Sequence, residues 1–202
     1  LIREAAESDG GILFEPRDSY GLSLRTLESM CSQPPGVSIA YTGNLLLPFE
    51  PTEDDQGTRN RVEVTRAGGG AYTVEDSTSA LGTAPPPAGV GVYDESVTLS
   101  LATDAAARQQ AGWRVHIGTT DEARWPTIGM ELAHPTFVAN PGLTRDILLM
   151  DIGDRLDVSS LPAWLPPVDV QQIVRGYTET LSVDTSDPHS RCRLKVEAVC
   201  VP

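Results

Sequence analysis

Glycine and proline interrupt this chain so often that most of it cannot form long helices. The 202 residues contain 18 glycines and 16 prolines, which are spread between short apolar runs. This spacing is typical of many short strands joined by turns, and an apolar share of 40% is ordinary for a globular protein. We therefore expect a folded, strand-rich chain. No apolar stretch of the sequence is long enough to cross a bilayer, so no membrane partner is predicted.

The charge balance argues against nucleic acid as a direct partner. Lys and Arg number 15 against 28 Asp and Glu, which gives a net charge of −13. Binding to a phosphate backbone depends on clustered Lys and Arg that displace counterions, and the basic residues of this chain are dispersed, with no Lys/Arg run. The acidic excess instead favours solubility.

Two local patterns predict regular elements in the middle of the chain. Residues 60–66 alternate between polar and apolar side chains, and three glycines at 68–70 then turn the chain into a second strand at 71–75. Farther on, Thr103 is suited to cap a helix that runs to about Ile117 and ends at Gly118. Its buried stripe should contain Ala107, Ala111 and Val115.

The turn Gly153-Asp154-Arg155 is the most informative local signal. An apolar run reaches this turn, and Leu156 and Val158 then alternate as a half-buried strand. Gly permits a positive φ and Asp can accept hydrogen bonds from nearby amides, so we predict a tight turn that enters a strand. A second, glycine-containing strand at 173–181 follows a proline-rich connection.

Taken together, the patterns predict an α+β fold. It should be mostly antiparallel, with hairpins and a barrel-like unit, and with one substantial central helix. We divide the chain into a β-rich segment at 1–76, truncated at its start, a Pro/Gly-rich loop at 77–94, and an α+β segment at 95–202 that closes with antiparallel strands.

No catalytic, cofactor-binding or metal-binding residue is predicted. The three cysteines, Cys31, Cys192 and Cys200, lack a Cys-x-x-Cys pair and are expected to be free, packed thiols, and the three histidines are scattered. The carboxylate pairs Asp54/Asp55 and Asp121/Glu122 stand in polar turns, where solvated charges are the better interpretation than acid–base catalysis. The three tryptophans are interpreted as core or interface residues.

Several short motifs together resemble the minor tail proteins of long-tailed phages and prophages of actinobacteria, in their hub-like portion. The motifs keep one order along nearly the whole chain. They are 5–15 (AAESDGGILFE), 21–26 (GLSLRT), 54–55 with 59–66 (DD, RNRVEVTR), 111–114 (AGWR), 122–126 (EARWP), 152–156 (IGDRL) and 174–180 (VRGYTET).

This resemblance implies a structural protein of the virion, assembled in the bacterial cytoplasm with other tail proteins, and a homotrimeric ring at the tail tip. It implies no catalytic residue and no cofactor. Because ring contacts require apolar loops, we predict that Trp164, Leu165, Pro166 and Pro167, together with the loop 83–92, are poorly buried and are ordered by neighbouring subunits. The alternatives are a tail-associated cell-wall hydrolase or peptidase and a carbohydrate-binding module for host attachment.

Overall fold

A computed structural model describes residues 2–41, 46–52, 57–120, 123–165, 169–184 and 191–201. The helices are α1 (Ile2–Asp9), α2 (Leu27–Cys31), α3 (Asp104–Gly118), α4 (Pro135–Ala139) and α5 (Pro141–Leu149). The strands are β1 (Ile12–Phe14), β2 (Ser23–Arg25), β3 (Val37–Ala40), β4 (Leu46–Phe49), β5 (Arg61–Arg66), β6 (Ala71–Glu75), β7 (Asp94–Leu99), β8 (Thr127–Glu131), β9 (Arg155–Ser159), β10 (Val170–Asp184) and β11 (Arg191–Val201).

The chain folds into two compact units, and each unit is built from separate stretches of sequence. The first unit combines 1–10 with 53–123, and the second combines 11–52 with 124–202. In the second unit, Thr52 and Arg124 pair backbone to backbone, with N···O distances of 2.7 and 3.0 Å. The boundaries of these two units differ from those of the consecutive segments 1–76, 77–94 and 95–202 into which we divided the sequence.

The first unit packs α3 on a three-stranded sheet in the order β6-β5-β7. The β5–β6 pair is the predicted antiparallel hairpin, whereas β5 and β7 run parallel. Val62 and Val64 on β5 are completely buried, and so are Ala107 and Ala111 on the facing helix. The small alanines allow the helix to lie close to the branched valines, so the core of this unit is formed by the predicted helix stripe.

Helix α3 begins and ends where the sequence predicts. The Thr103 hydroxyl accepts a hydrogen bond from the Ala106 N–H at 3.2 Å, which satisfies one free donor of the first turn. The helix ends at Gly118, where an added Cβ would lie 2.4 Å from the carbonyl oxygen of Arg59. Gly118 is therefore needed for close approach of the chain. The substantial central helix of the predicted α+β fold is confirmed.

The second unit contains a six-stranded mixed sheet in the order β3-β9-β10-β11-β8-β4. All neighbours are antiparallel except β3 and β9, which run parallel. Strands β3 and β4 are the two edges, so in the described residues the sheet is open and does not close into the barrel-like unit that was expected. Its core includes the fully buried side chains of Ile128, Met130 and Leu156, together with Phe137 and Ile147 from α4 and α5.

Two further elements of the second unit complete the fold. Strands β1 and β2 form a hairpin, with Leu13 opposite Leu24. Leu27 is the first residue of α2. The helix begins there because the Thr26 hydroxyl accepts a hydrogen bond from the Ser29 N–H at 3.2 Å.

Candidate assembly surface

Residues 151–154 form a reverse turn directly before β9. Gly153 has a φ of +87°, a region that favours glycine, and the Asp154 N–H donates to the Asp151 carbonyl at 3.1 Å. The Asp154 carboxylate in turn accepts from the Asp151 N–H at 2.8 Å. The turn is thus closed by both a backbone hydrogen bond and a side-chain hydrogen bond within its own four residues.

This turn is contacted by segments that are distant in sequence. The Arg25 guanidinium forms an ion pair with Asp154 at 2.5 Å, and the Gln33 side-chain amide donates to the Gly153 carbonyl at 2.6 Å. The Gly153 N–H donates to Val174 on β10 at 2.8 Å. The turn therefore fastens the β1–β2 hairpin and the α2 segment to the large sheet. Sequence reasoning found the turn but not the residues that bind it.

The predicted site residue Arg155 is the first residue of β9, and its side chain pairs with another residue of the same strand. Its guanidinium binds the Asp157 carboxylate through two hydrogen bonds, of 2.7 and 2.8 Å. This fork raises the pKa of Arg155 above its ordinary value, because the carboxylate stabilises the charged form. The Arg155 carbonyl accepts from the Gly36 N–H at 2.8 Å, which aligns the start of β3 with β9.

Arg17, in the loop between β1 and β2, joins that loop to β10. Its guanidinium donates to the Met150 carbonyl at 2.9 Å and pairs with the Glu179 carboxylate. The guanidinium carbon also lies 4.3 Å from the centroid of the Tyr177 ring, within cation–π range. Burial, opposed by the positive charge of Arg17, raises the pKa of Tyr177. Arg17 thus attaches the β1–β2 loop to β10 at Tyr177 and Glu179.

Beyond Glu179, β10 and β11 continue as an antiparallel hairpin. Their pairing extends to Asp184 opposite Arg191, whereas β9 pairs only with residues 170–173 of β10, and β8 only with residues 195–199 of β11. The described side chains at 178–182 are all exposed, and Leu181 is 70% exposed. Residues 181–184 of β10 and 191–194 of β11 therefore pair with each other, and neither β9 nor β8 pairs with them.

The tryptophan segment that was predicted as an interface is only partly exposed. Trp164 is 66% exposed, but Leu165 is buried, contrary to the exposure expected for it. The reason is a local turn, in which the Leu165 N–H donates to the Pro162 carbonyl at 2.9 Å and directs Leu165 inward. Pro166 and Pro167 lie outside the described residues. Trp113 is half-buried and Trp125 is buried, so Trp164 alone of the three tryptophans is exposed.

The Pro-rich loop of the first unit is held by its own chain. Asn60 is completely buried, and its side-chain amide donates to the carbonyls of Leu81 and Gly91 at 2.9 and 2.7 Å, while its carbonyl accepts from the Tyr93 N–H at 2.8 Å. Within the loop 83–92, residues 85–88 and Val92 are exposed. The buried Asn60 amide thus fixes both ends of the loop within its own chain, and ordering of its exposed part by neighbouring subunits stays a prediction.

Asp76 lies at the base of the same loop. Its carboxylate accepts from the backbone N–H groups of Thr78 and Ser79, at 2.8 and 3.1 Å. The nearby Ser79 hydroxyl, followed by these amides, lowers the pKa of Asp76 from 3.8 to about 2. The ionised carboxylate therefore stabilises the folded loop.

The described residues were also considered as a chemical site. Within them, no three His, Cys, Asp or Glu side chains are grouped as a metal ion would need. Cys31 is free but exposed, whereas a packed thiol was expected, because it lies on the short helix α2 whose buried residue is Met30. His189 and the two carboxylate pairs lie outside the described residues. No helix in the described part of the chain has both the length and the apolar character required to span a membrane.

Comparison with models of known protein families finds no match, and comparison with curated proteins finds no sequence of significant similarity. A structural similarity does exist. The fold resembles the crystal structure of the 43 kDa tail protein of prophage MuSo2 from Shewanella oneidensis, with a TM-score of 0.53 and 14% sequence identity. The similarity covers 98% of this chain and 50% of that protein, so the chain spans about half the length of its structural neighbour. At this identity, the likeness establishes a shared fold.

Proposed function

We propose that this chain is a structural component of a phage tail or of a phage-derived tail. In this proposal it is a hub or minor tail protein that acts in tail-tip assembly through contacts with other tail proteins, as part of a homotrimeric ring. The supporting observation is the similarity of fold, over 98% of the chain, to a protein described as a prophage tail protein. The order of the tail-protein motifs along the sequence supports the same proposal independently, and also suggests an actinobacterial host.

The architecture of the second unit fits an assembly role. The Gly153-Asp154-Arg155 turn fastens distant segments to one sheet, and so provides a rigid base. The unsupported β10–β11 hairpin and the exposed Trp164 offer apolar surface to neighbours. A carbohydrate-binding module would be expected to present several aromatic rings together, and only one of the three tryptophans is exposed. A tail-associated hydrolase is the alternative.

The direct test is to delete the gene from its phage or prophage and to complement the deletion with an epitope-tagged copy. If the chain is a tail-tip component, the deletion abolishes complete tails, and antibody-bound gold marks the distal end of the tails in the complemented strain. Normal tails in the deletion strain, or label on the capsid, would reject the proposal. A glycan-release assay with purified chain on host cell walls tests the hydrolase alternative, for which soluble fragments are expected.

A further inference from the structure

The β1–β2 loop, residues 15–22, presents large apolar side chains to solvent. Tyr20 is fully exposed, and Leu22 is 66% exposed. Leu24, on the strand that follows, is 43% exposed. Single exposed apolar residues are common on protein surfaces, whereas three of them within five residues are typical of a surface that contacts another protein.

The loop is fastened to the rest of its unit. The Arg17 N–H donates to the Asp151 carboxylate, and the Arg17 guanidinium donates to the Met150 carbonyl, both at 2.9 Å. The loop also leaves β1 and enters β2 at a paired position, where Phe14 lies opposite Ser23. A surface that is already ordered in the free protein binds a partner with a smaller loss of conformational entropy. The exposed side chains are therefore presented on a prepared base.

Residues 15–22 also surround a concave surface that has a volume of about 630 Å³. Sites that take up small molecules measure about 300–1,000 Å³, so this space can accept side chains of another protein. Glu15 and Asp18 on its lining are exposed, and neither forms an ion pair with a residue that the structure describes. Arg17, the one basic residue in this stretch of sequence, is paired with Glu179. The concave surface therefore carries negative charge that no described cation neutralises.

These features fit a positively charged side chain that is flanked by apolar residues. A carboxylate binds an arginine through charge-assisted hydrogen bonds, and the face of a tyrosine ring attracts the same cation. Glu15, Asp18 and Tyr20 supply these groups around one concave surface. The same carboxylates repel a phosphate backbone, so the charge disfavours nucleic acid as the partner. A second copy of this chain is also disfavoured, because its net charge is −13.

We propose that the β1–β2 loop docks on a different tail protein, at a segment of that protein that carries an arginine or a lysine between apolar residues. The cation binds the Glu15 and Asp18 carboxylates beside the Tyr20 ring, and the apolar residues of the segment cover Leu22 and Leu24. The inference rests on the proposed function, because it requires another tail protein in the same particle. It does not depend on a ring of copies of this chain.

The test uses tails purified from a strain whose tagged copy of the chain carries the photoreactive residue p-benzoylphenylalanine in place of Tyr20. We expect irradiation to cross-link the chain to one segment of a different tail protein. Mass spectrometry of the cross-linked peptide should show an arginine or a lysine between apolar residues in that segment. The same photoreactive residue in place of Leu149, an exposed leucine on α5, is the positional control and should not reach the segment.

Charge reversal tests the two carboxylates of the loop. We expect Glu15→Lys combined with Asp18→Lys to lower the yield of the cross-link, per copy of the chain expressed, by at least about tenfold, because like charges then face each other. Neither carboxylate bonds to a residue that the structure describes, so the thermal unfolding of the purified chain should not change. The matched control is Glu28→Lys combined with Asp146→Lys, which reverses two exposed acids elsewhere in the same unit. It should leave the yield of the cross-link unaltered.

Tails that contain the chain but give no cross-link from position 20 would overturn the inference. A cross-link only to another copy of the chain, or to a segment without a basic residue, would do the same. So would a yield that survives the charge reversal in the loop, or one that falls equally in its control. Each of these results leaves the proposed function intact, whereas tails that lack the chain would reject the proposed function and the docking of the loop together.

Discussion

At the scale of single residues, Gly153 has the strictest requirement in the second unit. Its φ of +87° is unfavourable for other residues, and an added Cβ would lie 2.7 Å from the Arg25 side chain that pairs with Asp154. We expect Gly153→Ala to lower the free energy of unfolding by about 1–3 kcal/mol. Urea unfolding, followed by tryptophan fluorescence, measures this change.

The matched control for this prediction is Gly142→Ala in the same unit. Gly142 is exposed in the first turn of α5, and an added Cβ would meet only an ordinary contact at 3.5 Å. Alanine favours helix over glycine by up to about 1 kcal/mol, so this variant should be neutral or slightly more stable. An equal decrease in the free energy of unfolding in the two variants would show that the geometry of the turn is not the cause of the decrease in Gly153→Ala.

Asp76 gives a prediction about pH. Its pKa in the folded chain, about 2, is below the ordinary 3.8, so the ionised carboxylate stabilises the folded state. This contribution is complete well above the unfolded pKa of 3.8 and is lost as the pH falls through the folded value of about 2, below which the carboxylate is protonated in both states. Because solvent screens the group, we expect the contribution to be on the order of 1 kcal/mol.

The measurement compares the wild-type chain with Asp76→Asn in urea at pH 5, 4 and 3. Other carboxylates titrate in the same range, so the informative quantity is the difference in unfolding free energy between the two proteins. That difference should be largest at pH 5 and should shrink towards pH 3. A difference that stays constant with pH would contradict the assigned pKa.

At the scale of elements, the Pro-rich loop depends on Asn60. Replacement by alanine leaves the carbonyls of Leu81 and Gly91 and the N–H of Tyr93 without their partner in a buried site. We expect Asn60→Ala to lower the free energy of unfolding by about 2–4 kcal/mol and to make the loop sensitive to protease. Limited proteolysis with mapping of the cleavage sites by mass spectrometry detects the opening.

Asn140→Ala makes the same chemical change at an exposed position. The Asn140 side chain accepts a hydrogen bond from the Leu143 N–H and so caps α5. Its loss should lower the free energy of unfolding by about 1 kcal/mol and leave the Pro-rich loop resistant to protease. Cleavage within residues 83–92 at similar rates in both variants would argue that the loop is not fixed by Asn60.

Elements with complete local signals could be predicted from the sequence. Helix α3 has a capping threonine, three successive alanines and a terminal glycine, and the β5–β6 hairpin has polar/apolar alternation along β5 followed by three glycines. Helices α2 and α4 have only five residues each, too few for a periodic pattern. The available signals were their capping residues, Thr26 and His134, and Pro135 at the start of α4.

Contacts between distant segments could not be predicted in the same way. The parallel pairs β3–β9 and β5–β7 join strands that no local turn connects. At the candidate site, the sequence indicated the Gly153-Asp154 turn, but Gln33 reaches Gly153 across 120 residues and Arg25 reaches Asp154 across 129. Side chains that bind the turn from so far away leave no pattern in a single sequence.

At the scale of the whole molecule, our central proposal is that the chain is built into a tail as a symmetric ring. The fold, which resembles that of a prophage tail protein over 98% of the chain, is compatible with that role, and a threefold ring sets the number of copies in each particle. Stability measurements on the isolated chain test how it folds, whereas only a particle tests this claim.

The most direct measurement is absolute quantification of this chain, by mass spectrometry with isotope-labelled peptides, in purified tails. The number of tails is counted by electron microscopy of the same sample. We expect about three copies of the chain in each tail, as one closed threefold ring requires. Tails that lack the chain, or that contain it at a single copy each, would contradict the proposed ring.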